Sequence, residues 1–124
     1  MNYEDLNIEL SKQFPMLKWL VEMEMDTFDC YLPGPHVLYS NVLNPYVKRL
    51  LEEEKDLHAI RQVFSFFELL ACSEDEEVRN LLQVTLLEAL WEDKLIYDRA
   101  LQYMHSSTKI LNSTIGDYLK APSI

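Results

Sequence analysis

Apolar residues recur at spacings of three and four along most of the chain, and no alternating run is bounded by hairpin turns. The pattern is strongest over 74–93. There Val78, Leu81, Leu82, Thr85, Leu86, Ala89 and Leu90 fall on one side of a 3.6-residue period. Leu87 and Trp91 widen that face, which predicts a central helix packed on both sides. Ser73, with Glu76 three residues on, is a capping-box pair. Asp75, Glu76 and Glu77 put negative charge at the positive end of the helix dipole.

The same reading predicts a short first helix over 2–13, capped by Asn2 and ended by Pro15. A second, over 16–31, turns Leu17, Leu20, Val21, Met25 and Phe28 to one face, with Glu22, Glu24, Asp26 and Asp29 opposite. Leu32-Pro33-Gly34-Pro35-His36 reads as a turn. The helix over 37–54 contains Pro45, which either kinks it or splits it with Asn44 as a second cap. Over 57–71, Ile60, Val63, Phe64, Phe67, Leu70 and Ala71 face a core, and Phe66 reaches a second contact. A helix over 94–104 and a last one capped by Ser107, with Ile110, Leu111, Ile115 and Tyr118 inside, complete the set; 121–124 is read as a loose tail. The expectation is a single all-α domain over 1–124. Six to seven antiparallel helices form a compact bundle or a short HEAT/armadillo-like superhelical stack.

Composition narrows the partners. The chain has 124 residues, 48% of them hydrophobic, enough for one domain with a real core. Its formal net charge is -10, from 11 Lys+Arg against 21 Asp+Glu. That excess disfavours nucleic acid and anionic membrane surfaces as partners. It suits either simple solubility or long-range attraction of a basic protein. Two cysteines, Cys30 and Cys72, make no disulfide framework, and Glu4, Asp5 and Glu9 stand where a secretory leader would be basic and then apolar. A cytoplasmic protein is expected.

Tests for chemistry return little. None of His36, His58 and His105 has another histidine at a ligand spacing, and neither cysteine lies in a Cys-x-x-Cys pair. Glu22 with Asp26, and Glu88 with Glu92, are same-face carboxylate pairs, but no Glu-x-x-His motif accompanies them. The 74–77 acids lack the calcium-loop pattern, and no glycine-rich phosphate cradle occurs. No cofactor and no enzymatic activity are expected. Both cysteines are expected to be inert and partly buried.

Several pieces together resemble one family. They are Pro33-Gly34-Pro35-His36 leading into a helix with Val42-Leu43, the Phe66-Phe67-Glu68-Leu69-Leu70 run, and the stretch from Val78-Arg79-Asn80-Leu81 to Glu88-Ala89-Leu90. The chain is similar to small, acidic, all-helical bacterial proteins of unknown function of the DUF7674 type. The resemblance implies an immunity protein, one that binds and blocks a cognate toxin in the producing cell.

The charge distribution suggests where a partner would dock. Acids at 22, 24, 26 and 29 and at 74–77 form one face if the second helix lies beside the start of the central one. The candidate protein-binding residues are Glu22, Glu24, Asp26, Asp29, Tyr31, His36, Tyr39, Glu74, Asp75, Glu76 and Glu77. Trp19 and Tyr46 are further aromatic candidates, though each aromatic serves a core equally well. The expected partner is a basic toxin domain. The alternative is a homo-oligomeric structural or regulatory helical module, which leaves a homodimer open.

Overall fold

The computed structural model describes residues 1–27 and 33–119. Phe28, Asp29, Cys30, Tyr31 and the 121–124 tail lie outside the described residues. A 3-10 turn, Tyr3–Asp5, feeds α1, Leu6–Gln13. Asn2 has extended dihedrals at the start of that turn, but its side chain makes no capping bond. Phe14 breaks the helix before Pro15, and a second 3-10 turn, Pro15–Leu17, leads into α2, Lys18–Thr27. α3 spans residues 35–53, α4 is Leu57–Ala71 and α5 spans residues 76–90. α6 is Lys94–Tyr103 and α7 is Ser106–Leu119. These seven helices pack as a compact bundle, and no strand occurs among the described residues.

α4 is the most heavily buried helix of the set. The inward set read from the sequence is all buried, and so is Phe66. Phe66 meets Phe14 edge-on at 5.4 Å and stacks on Tyr39 at 6.4 Å. Phe64 points into a separate cluster with Phe67 and Tyr103. Two aromatic groups on one helix let α4 hold α1 and α3 on one side and the C-terminal helices on the other. α5 is central as expected, packing against α3, α4, α6 and α7. Its cap is Asp75 and not Ser73: the Asp75 carboxylate accepts from Glu77 N, and Ser73 Oγ accepts from Asp75 N. Ser73 is needed elsewhere, because its hydroxyl donates to the Met1 carbonyl at 2.7 Å.

Two helices depart from the α pattern. In α3, Tyr39–Leu43 is a π turn, and Asn44 N–H bonds to the Tyr39 carbonyl five residues back. In α5, Leu82–Leu87 is a second π turn, with Glu88 N–H bonded to the Gln83 carbonyl. The helix is therefore not split at Pro45. Asn44 keeps helical dihedrals and caps nothing; its side chain instead donates to the Thr85 carbonyl at 2.9 Å. A regular α turn would drive the proline ring into the carbonyl four residues back. The wider turn just before Pro45 avoids that clash.

Two long-range caps tie the second half together. Arg99 Nη1 donates to the Leu51 and Glu52 carbonyls, both at 2.7 Å, at the C-terminus of α3. Glu68 on α4 accepts from Ser107 N, Thr108 N and Thr108 Oγ1 at the N-terminus of α7. Each places the charge that the helix dipole favours. The Glu68 contact also rotates α7 from the expected register. Thr108 and Asn112 are buried with Ile115, while Ile110 is exposed. Asn112 accepts from Trp91 Nε1 and donates to Tyr97 Oη, which satisfies both of its ends inside the bundle.

Candidate functional site

Two surfaces are candidates for a functional site. The first is the outer face of α2. At helical spacing, Lys18, Trp19, Glu22, Met23 and Asp26 share one arc, and Leu20, Val21 and Met25 share the other. The second arc packs inward, against α1 and the π turn of α3. Trp19 and Met23 are left 59% and 57% exposed, with Met16 on the adjoining turn at 48%. Glu22 and Asp26 flank them, both exposed. Along the α1 edge a shallow groove of about 280 Å³ continues this surface, with Ile8, Glu22 and Met25 in its walls. Trp19, Met23 and Met16 are neighbours and form a contiguous exposed apolar stripe beside two carboxylates, the kind of patch that partners use.

The second surface is a cleft of about 480 Å³ where the two π turns face each other. α3 contributes His36, Ser40, Asn41 and Asn44; α5 contributes Thr85 and Glu88, and Glu92 stands in the turn just after it. His36 Nδ1 lies 2.5 Å from Thr85 Oγ1, which fixes the ring against α5. Tyr3 packs its ring on the other side, 6.1 Å from the imidazole. Asn41 Nδ2 donates to Glu24 Oε2 at 3.1 Å, linking the cleft to α2. At the mouth, Lys48 Nζ pairs with Glu92 Oε2 at 3.3 Å.

The expected binding residues are therefore dispersed. Glu22 and Asp26 lie on the α2 face, Glu24 at the cleft edge, and His36 inside the cleft. Asp29 and Tyr31 lie outside the described residues. Tyr39 is a core residue and no surface anchor: it is 0% exposed and its hydroxyl donates to the Leu6 carbonyl at 2.6 Å. Burial, with the Glu9 charge nearby, drives its phenol far above the ordinary range. Tyr46 is half-buried with its ring edge-on to Phe14. The neighbour of the 74–77 turn is the chain's first residues, through Met1 and Tyr3, whereas α2 packs beside the α3 π turn.

Within that turn, Glu74, Glu76 and Glu77 are exposed, but Asp75 is held by the fold. It accepts from Tyr3 N at 2.9 Å as well as from Glu77 N, and these backbone bonds hold its carboxyl below the ordinary value. Cys72, expected to be partly buried, is exposed, with its Sγ 3.6 Å from Glu68 Oε2. No cluster of three metal-ligating side chains occurs among the described residues, and no helix is long and apolar enough to cross a membrane.

A family model, described as a domain of unknown function (DUF7674), matches residues 8–115. The chain belongs to the DUF7674 family. The match takes in every element of this DUF7674 domain from within α1 to within α7, both π turns included. No curated protein and no solved structure gives a significant match.

Sequence reasoning missed Ser40, Asn41, Asn44 and Thr85 as cleft residues. One signal was present: Asn44-Pro45 inside an otherwise helical pattern marks a place where backbone bonding must change. Thr85 amid the α5 leucines was the other.

Proposed function

We propose that this DUF7674 domain is a non-enzymatic binding protein for a basic protein partner, and that the partner is a cognate bacterial toxin it neutralises in the cytoplasm of the producing cell. The observation that carries the reading is the exposed Trp19–Met23 stripe beside Glu22 and Asp26. Interfaces draw their affinity from a few aromatic and methionine anchors, with charged rims that select the partner and speed encounter. Here the arc carries two carboxylates, Glu22 and Asp26, against one ammonium, Lys18, and the whole molecule carries -10. The toxin assignment rests on the immunity role that the family resemblance implies.

The same stripe bears on the homo-oligomeric alternative. A two-fold contact through this face would set an arc with two carboxylates and one lysine against its own copy, a net like-charge contact, and like charges at an interface are costly. A basic partner meets no such repulsion.

The test is affinity purification of the tagged chain from its own organism at low and moderate salt. A stoichiometric basic toxin whose activity the chain blocks, and which Trp19→Ala together with Asp26→Lys releases, is the expected result. Self-association alone, or a toxin retained unchanged by both substitutions, would overturn the proposal.

A further inference from the structure

The π-turn cleft has a chemistry of its own, independent of the α2 face. The two asparagines in it have their amide NH2 groups tied down: Asn41 Nδ2 to Glu24 and Asn44 Nδ2 to the Thr85 carbonyl. Each amide spends one N–H in this way and leaves its carbonyl oxygen, an acceptor, without a hydrogen-bond partner among the described residues. Glu88 adds a carboxylate on the same lining, half-buried, with no ion pair among the described residues. Glu92 is neutralised at the mouth by Lys48. Val37, Val84 and Ala89 supply apolar walls between these groups. The lining is therefore rich in acceptors and carries one uncompensated negative charge.

We propose that this cleft binds a guanidinium group, with Glu88 as its counter-ion and the Asn41 and Asn44 carbonyl oxygens as further acceptors. A guanidinium is flat and cationic, offers five N–H donors in a fixed fork, and tolerates apolar contact on its faces. An ammonium is a compact, strongly hydrated point charge and matches a dispersed set of acceptors less well. Anions are disfavoured, because Glu88 faces them. The π turns give the site its shape: by widening α3 and α5 where they meet, they place Asn44 against the Thr85 backbone and open the space beside it.

The group has two possible sources, a free small molecule or an arginine side chain of a protein. Titration of the full chain with agmatine, with an end-blocked arginine tripeptide and with putrescine, followed by amide and side-chain NMR shifts, separates them. Agmatine binding that shifts Ser40, Asn41 and Thr85, and that weakens about tenfold in Glu88→Gln, is expected for a free ligand. Binding of the tripeptide alone, with the same shifts and the same loss, supports an arginine side chain. Asn41→Ala, at an exposed position, provides a second variant expected to weaken binding severalfold should Glu88→Gln disturb folding. No shift with either guanidinium probe, or putrescine binding as tightly as agmatine, overturns the proposal. Neither probe contains a protein partner for the α2 face, so failure here leaves the partner proposal standing and the reverse also holds.

Discussion

Glu68 belongs to α4, yet its carboxylate serves α7 by accepting from the first free N–H groups of that helix. Burial alone would raise its pKa above the ordinary 4.5; the hydrogen bonds from Thr108 and Ser107 outweigh burial and hold it below. A carboxyl that is more acidic in the folded state stabilises the fold above its unfolded pKa, and that stability is lost as pH falls through the folded value. Glu68→Gln is therefore expected to cost about 1–2 kcal/mol at neutral pH, the scale of a lost helix cap. As pH falls through the folded value of Glu68, the variant's urea midpoint should converge on that of the parent chain. A gap that persists at acid pH would refute the charged-cap account. Asp75 shifts in the same direction, held down first by the Tyr3 N–H, so the join between the chain's start and α5 should loosen as pH falls through the folded value of Asp75 itself. Tyr39 gives a complementary test. Its buried hydroxyl has one carbonyl partner, so Tyr39→Phe should lower stability by about 1 kcal/mol in chemical denaturation. Partner affinity should not change; a binding loss without a stability loss would return Tyr39 to the surface role expected from sequence.

At the scale of elements, the two π turns decide how α3 and α5 meet. The α3 turn and Pro45 explain each other, and that link can be broken in steps. Deleting Asn41 would convert the π turn to an α turn and place Pro45 in a regular helix interior, at a cost of about 3 kcal/mol or more. Pro45→Ala alone should change stability by less than about 1 kcal/mol, since the residue is exposed. Combining the two should recover most of the loss, measured by thermal melting with circular dichroism. Simple addition of the two effects would show that the proline and the turn are independent. This is also where the sequence was least legible. The α4 core positions could be read directly, because Ile60, Val63, Phe64 and Phe67 repeat one period without interruption. A π turn inserts one residue and shifts the period locally, which in sequence looks like ordinary irregularity. The trans caps were hidden for another reason: Glu68 and Arg99 occupy positions that periodicity alone assigns to solvent, and their partners are about 40 or more residues away. In the cleft, His36 stood out after its turn and Asn44 only as a possible cap, whereas nothing in the periodicity singled out Ser40 or Asn41.

Across the whole molecule, charge and apolar exposure are arranged to do different things. The -10 charge acts over distance and should govern how fast a basic partner arrives, whereas Trp19 and Met23 act only on contact and should govern how long it stays. The two contributions separate in a kinetic experiment. With the partner immobilised, Trp19→Ala should raise the dissociation rate by a factor of about 30, equivalent to about 2 kcal/mol, at any salt concentration. Replacing Glu22 and Asp26 together by lysine should instead lower the association rate, and the fall should shrink as salt rises from about 50 mM to about 300 mM and the screening length shortens. Glu74, Glu76 and Glu77 lie by the chain's first residues, whereas α2 packs beside the α3 π turn. Reversing one of them should therefore alter the association rate less than reversing Glu22 does. If all exposed acids contribute equally and Trp19→Ala leaves dissociation unchanged, the negative charge is a diffuse solubilising field and the α2 face is not the interface. Unequal effects centred on α2 would place the interface there and make the remaining charge a steering field around it.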